Sequence, residues 1–145
     1  MDDLWTLVHF ESIDGRCPMV IFLDELPDEK FAALDSALTK VLALRGISLA
    51  GTKWMTSLGR GLHEFRVRHS EKEIAGMFIS AGHRVPLNLH RTSVLLRVFV
   101  HFHGDKKCLL LNGYHKGRDS SVKRQQREIA KARKFLADFQ QRPKG

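Results

Sequence analysis

Two stretches of this chain alternate polar and apolar residues with period two, and a third stretch, apolar throughout, follows the second across a short turn. In Leu62-His63-Glu64-Phe65-Arg66-Val67-Arg68, the residues His63, Phe65 and Val67 share one face and Glu64, Arg66 and Arg68 the other. From Val94 to His103, the residues Val94, Leu96, Val98, Val100 and Phe102 oppose Leu95, Arg97, Phe99, His101 and His103, so the polar faces of the two stretches match. Gly104-Asp105 is a hairpin turn, and Cys108 to Leu111 has the unbroken apolar character of a central strand covered on both faces. This pattern predicts an α+β domain with an antiparallel sheet of Leu62–Arg68, Val94–His103 and Cys108–Tyr114.

The remaining elements fit around that sheet. Trp5 to Glu11 has strand composition and ends at Asp14-Gly15, while Pro18 to Glu25 is short and apolar and is read as helix or strand. Pro27, with Asp28 and Glu29 after it, opens a helix whose apolar positions are Phe31, Leu34, Leu38, Val41 and Leu42; Gly46 after Arg45 stops it. Ser70 and Glu73 make a capping box for a short helix with the stripe Ile74, Met77, Phe78 and Ala81, ending at Gly82, and His83 to Ser93 is a loop. Asp119 or Ser120 caps a long final helix reaching about Gln141. Its buried stripe is Val122, Ile129, Ala132, Leu136 and Phe139, and its exposed basic row is Lys123, Arg124, Arg127, Lys131 and Lys134.

At 145 residues, without repeats or linkers, residues 1–145 make one domain. No apolar run of membrane-spanning length occurs, and Met1-Asp2-Asp3 is acidic where a secretory leader would be basic, which predicts no membrane association. Two cysteines, Cys17 and Cys108, both read as structural, fit a reducing, cytoplasmic setting. The net charge of +8 is unevenly spread: residues 104–145 hold twelve Lys or Arg against four Asp or Glu, and the rest of the chain is balanced. Charge concentrated in this way favours a polyanionic partner, although a solvated basic helix would show the same composition.

The chemistry-bearing set is cationic: Arg66 and Arg68 on one strand, Arg97 on the next, and Lys116 with Arg118 after the third, converging beside Tyr114 and His115. RNA cleavage by a 2′-OH needs a base for that proton, cations for the developing phosphoryl charge and a donor for the leaving oxygen. Imidazole, guanidinium and ammonium or phenol suit those roles, and no metal or other cofactor is called for. His101-x-His103 alone is too few ligands for zinc and reads as lining the active face or solvated near the sheet edge. Gly59-Arg60-Gly61 lacks the spacing of a nucleotide loop and is a turn.

The order helix, Gly61-Leu62-His63-Glu64-Phe65-Arg66-Val67, Leu96-Arg97-Val98-Phe99, Leu110-Leu111-Asn112-Gly113-Tyr114-His115-Lys116 and a basic helix with Glu128-Ile129-Ala130-x-Ala132-Arg133 resembles the RelE/HigB/ParE toxin superfamily. The similarity spans roughly residues 18 to 139 and is closest to the phage-derived HigB-like branch. It implies a small RelE-like domain with N-terminal helices packed on an antiparallel sheet and a long basic C-terminal helix. It further implies a toxin of a type II toxin–antitoxin system, a metal-independent endoribonuclease cutting mRNA on the ribosome, with a cognate helix-turn-helix antitoxin as partner.

On that resemblance Arg66 falls where the family has a basic residue, and Arg97 matches the Arg at the scissile phosphate. Lys116 falls in the basic turn, and Tyr114-His115 is similar to the end of the last strand in some HigB toxins. Arg68, Arg118, Lys123, Arg124, Arg127 and Lys131 are the expected nucleic-acid contacts. The sequence departs from the pattern at Glu64, where RelE-type enzymes carry a basic residue, and in the helix and loop inserted over about 69–93. A ParE-like toxin acting on DNA gyrase and an inactive nucleic-acid-binding relative are the alternatives. A Glu64 that neutralises Arg66 would favour either of them.

Overall fold

The computed structural model describes residues 3–78, 84–86 and 88–143. Its centre is a five-stranded sheet in the order β1-β5-β4-β3-β2, formed by β1 (Thr6–His9), β2 (Met55–Gly59), β3 (Leu62–Val67), β4 (Leu96–His103) and β5 (Lys107–His115). The three strands expected from alternation and from the apolar run after the hairpin turn are the three inner ones, and they are antiparallel. β1 lies parallel to β5, so the sheet is mostly rather than wholly antiparallel.

Strand β2, an edge strand that periodicity does not reveal, pairs with β3 through the turn Gly59-Arg60-Gly61, where all three residues have positive φ. Its five residues, Met-Thr-Ser-Leu-Gly, are too few and too polar to stand out.

The ambiguous segment Pro18–Glu25 is a helix, α1. After it, α2 (Asp28–Ala37) continues through a π-helical turn at Leu38–Leu42 into α3 (Ala43–Arg45). Leu34, Leu38, Val41 and Leu42 are buried as their spacing predicts, but Phe31 is exposed. Gly46 ends the helix with φ +52°, and a side chain there would overlap the Trp5 indole packed against it.

The capping box forms as expected: the Ser70 N–H donates to Glu73 Oε1 at 3.0 Å and the Glu73 N–H to Ser70 Oγ at 3.1 Å. It opens α4 (Glu71–Met77), which is shorter than its stripe suggested. Ile74 is buried, Met77 and Phe78 are exposed, and Ala81 and Gly82, with part of the 83–93 loop, lie outside the described residues. The last helix, α5 (Val122–Gln141), is capped by Ser121, whose hydroxyl accepts the Arg124 N–H at 3.1 Å, rather than by Asp119 or Ser120.

Helices cover both faces of the sheet, which explains the unbroken apolar run in β5. Cys108 and Leu110 enter the larger core with Leu34, Leu42, Phe65, Leu96 and Val98, while Leu109 and Leu111 enter a second core with Phe10, Phe99, Tyr114, Ala132 and Leu136 beneath α5. In α5, Ala132 and Leu136 are buried and Ile129 and Phe139 half-buried. Val122 instead projects into solvent at the first turn, and Glu128 takes a buried place on that face. Arg133 fixes the helix to the β2–β3 turn, its guanidinium donating to the carbonyls of Leu58 at 2.6 Å and Gly59 at 2.8 Å.

Candidate functional site

Strand register brings the central predicted residues into one row. Arg66 stands opposite Arg97 across β3 and β4, and Arg97 opposite Tyr114 across β4 and β5. Opposed residues project from the same face, and here that face lies under the first turns of α5. The next row is Glu64, Phe99 and Asn112. Tyr114 stacks on Phe99, and the Arg124 guanidinium lies 5.3 Å above the Tyr114 ring.

Glu64 is the hub of this face. Its side chain is 1% exposed and accepts a hydrogen bond from Arg66 Nε at 3.1 Å, with Arg97 Nε 3.8 Å away. Gln125 Nε2 of α5 donates to its other oxygen at 3.1 Å. Arg97 is 4% exposed; its Nη1 donates to the Leu96 carbonyl and its Nε has no hydrogen-bond partner among the described residues. Burial lowers the Arg97 pKa, the carboxylate of Glu64 opposes that, and the charges of Arg66 and Arg68 reinforce it.

Lys116 belongs to the same cluster. Partial burial first, then the charge of Arg97, lowers its pKa; Glu64 opposes this, and Arg66 and Arg68 add to the lowering. Tyr114 moves the other way, raised by burial and by Glu64 against the pull of Arg97 and Arg124, so the phenol holds its proton at neutral pH and is a donor rather than a base. The Tyr114 hydroxyl is buried with no partner among the described residues. Arg66, Arg68, Arg97 and Lys116 thus converge beside Tyr114, as the alternation predicts, but Glu64 sits among them as a counter-charge.

His115 does not join them. It pairs with Leu96, a residue of the larger core, and so projects from the opposite face, where the charge of Lys30 acts on it. Burial, then Lys30, lowers its pKa. Its Nδ1 accepts the Arg118 N–H at 3.1 Å, placing the ring proton of the neutral form on Nε2. The expected convergence of His115 with Arg66 and Arg97 is therefore corrected, since the sheet separates it from those two, while Arg118 stays beside it.

His101 is also elsewhere. Four residues along β4 from Arg97, a separation of roughly 13 Å, its Nδ1 donates to the Gly61 carbonyl at 2.8 Å, and its ring stacks on His103 near Phe139. Among the described residues no three His, Cys, Asp or Glu side chains come together as metal ligands.

The expected basic row on α5 divides. Lys123, Arg127 and Lys134 are exposed and without ion-pair partners among the described residues. Arg124 and Lys131 instead hold the buried carboxylate of Glu128, at 2.9 and 3.3 Å. Both line a cavity of about 580 Å³ between α1 and α5 at the edge of β5, beyond the end of its pairing with β1. Tyr114, His115 and the exposed Arg118 line it as well, with Ile21 and Phe22 on the α1 side.

Gly113 allows α1 this close to β5: a Cβ there would lie 2.6 Å from the Phe22 ring and 2.9 Å from the Arg97 carbonyl oxygen. A second, smaller cleft of about 200 Å³ is lined by Lys53, Trp54, Arg66, Arg68 and His69, adding three residues the sequence did not single out. In comparisons with known proteins, the chain matches no family model and no curated sequence.

Proposed function

We propose that this chain is the toxin of a type II toxin–antitoxin pair and acts in the cytoplasm on mRNA at the ribosome, as an endoribonuclease. The observation that carries this reading is the convergence of Arg66, Arg68, Arg97 and Lys116 on one sheet face beside a protonated Tyr114. In such a reaction the 2′-oxygen forms a bond to phosphorus, the bond to the 5′-oxygen breaks, and a proton moves from the first oxygen to the second. Arg97 and Arg66 suit the charge that develops on the phosphoryl oxygens. Lys116, as an ammonium, suits the same developing charge, and the Tyr114 phenol suits donation to the leaving oxygen. His115, on the face opposite Arg66 and Arg97, is not among these groups. The partner is a cognate helix-turn-helix antitoxin, and no membrane is involved; among the described residues, no helix is long and apolar enough to cross one.

One observation favours a second reading. Glu64 holds Arg66, and α5 covers Arg97 and Tyr114 through Arg124 and Gln125. A toxin that poisons DNA gyrase through a protein interface, or an inactive nucleic-acid-binding relative, needs no open phosphate site and tolerates that closure.

Induced expression followed by mapping of transcript 5′ ends separates the two. Growth arrest with new 5′ ends, relieved by Arg97→Ala and by the less disruptive Lys116→Ala, supports the nuclease; loss of one such cation costs on the order of a hundredfold in rate. Arrest with intact transcripts and gyrase-dependent DNA breaks supports the gyrase-directed reading. No arrest leaves the inactive relative.

A further inference from the structure

The smaller cleft joins an aromatic ring to three cations, of which Arg66 is paired with Glu64 and two have no ion pair among the described residues. Trp54 is half-buried, with its indole stacked on Phe65 at 5.9 Å and 18° and tilted against His69 at 5.3 Å. Its backbone is held on both sides: its N–H donates to the Thr52 hydroxyl at 3.1 Å, and its carbonyl accepts the Arg66 N–H at 2.7 Å. Lys53 and Arg68, which line the cleft with the ring, are exposed and without ion pairs among the described residues. The acidic groups nearby are engaged: Glu73 lies 3.6 Å from His69, and Glu64 is buried on Arg66.

We propose that this cleft is a nucleobase site, in which one unpaired base of single-stranded RNA stacks on Trp54 beside His69 and its flanking phosphates lie on Lys53, Arg66 and Arg68. A ring fixed by packing loses little entropy on stacking, and a π-face accepts any base while the cations follow the backbone. A cleft of about 200 Å³ takes one base and excludes a paired duplex. An acidic peptide would use the three cations but gain nothing from the indole. Arg66 lines this cleft and also faces Arg97 in the site row. Trp54 itself packs on Phe65 of the larger core, the face opposite Arg97, so Arg66 is the residue that the two places share. The inference rests on the RNA-directed reading above and adds to it where the strand is gripped.

The test uses the full chain with Trp5→Phe, which leaves Trp54 as the sole indole, and a 2′-O-methyl RNA 12-mer that cannot be cut by 2′-OH attack. Trp54 fluorescence is expected to be quenched on binding. Measured by anisotropy without the Trp5 change, Trp54→Leu weakens binding on the order of tenfold, while Trp54→Phe, which keeps the stack on Phe65, retains most of it. Abasic substitution along the oligonucleotide finds one position that reproduces the tenfold loss and has no further effect in Trp54→Leu. A duplex of the same sequence and poly-glutamate bind without quenching Trp54.

Unchanged affinity of Trp54→Leu for an oligonucleotide that the wild type binds would overturn the base site and leave the RNA-directed reading intact. Equal quenching by the duplex or by poly-glutamate would also overturn it, the latter in favour of an acidic protein surface. Failure of the wild type to bind any single-stranded oligonucleotide would overturn the RNA-directed reading itself.

Discussion

Arg66 and Arg97 stand opposite one another across β3 and β4 and share a single carboxylate, that of Glu64, which is closer to Arg66 at 3.1 Å than to Arg97 at 3.8 Å. Removing the carboxylate strands a guanidinium that is 4% exposed. Glu64→Gln is therefore expected to cost about 3–5 kcal/mol of stability in urea unfolding. Glu64→Gln combined with Arg97→Met is expected to recover most of that, because no buried charge then remains unpaired. If the double variant is as unstable as the single one, Glu64 stabilises the fold through Gln125 and Arg66 rather than by balancing Arg97.

Gly113 sets the distance between α1 and the strand that carries Tyr114. Gly113→Ala would drive a methyl into the Phe22 ring and the Arg97 carbonyl, and overpacking of this kind costs about 1–3 kcal/mol. Adding Phe22→Leu relieves the clash with the ring but not the clash with the carbonyl. The pair should recover only part of the loss in urea unfolding, and full recovery would show that the ring alone sets the spacing.

The inner sheet was legible because period two is a local signal: Leu62–Val67 and Leu96–His103 declare their faces residue by residue. The same rule sends Tyr114 and His115 to opposite faces, so their separation was readable too; adjacency in a motif obscured it. The Arg124–Glu128 and Glu128–Lys131 pairs were likewise available from their helical spacing. The burial of Glu64 was not legible, since it depends on α5 crossing β3 from 61 residues away in sequence. Trp54 gave no signal, because it precedes an edge strand too short to show a period.

Burial lowers the pKa of His63, His103 and His115 below the ordinary 6.5, with the charges of His101 and Lys107 adding at His103 and that of Lys30 at His115. The folded state favours each neutral ring, so this contribution to stability is fully present above pH 6.5 and is lost as pH falls through the depressed folded values. Tm should drop as pH falls from 7.5 to 5. The carboxylates with lowered pKa, Asp14, Glu73 and Asp119, act only in more acid solution. His103→Leu, beside Phe139, should flatten the drop, and an unchanged slope would place the titration at the other two rings.

Cys108 opens the buried part of β5, and burial pushes its thiol up to about 12. Cys17, before α1, is partly exposed. Alkylation by iodoacetamide at pH 8 in native protein should modify Cys17 alone, with Cys108 reacting only in denaturant, because the thiolate is the reactive species. Peptide mass mapping reads this directly. Rapid native modification of Cys108 would mean that β5 opens locally.

The division of the α5 cations separates attraction from structure. Lys123 and Arg127 lie within about 40° on the helix surface, exposed and unpaired among the described residues, whereas Arg124 holds Glu128 and covers Tyr114. Lys123→Glu with Arg127→Glu should leave urea stability within about 0.5 kcal/mol. The same pair should weaken binding to ribosomes and flatten its dependence on salt, because the slope falls by about one for each phosphate that a cation no longer neutralises. Arg124→Ala should do the reverse, lowering stability by about 1–3 kcal/mol through the under-satisfied buried Glu128. With binding driven by long-range charge, that variant should keep most of its salt dependence. Equal effects of the two changes on ribosome binding would mean that the covered Tyr114 face itself meets the RNA, so that the first turns of α5 must move aside when the complex forms.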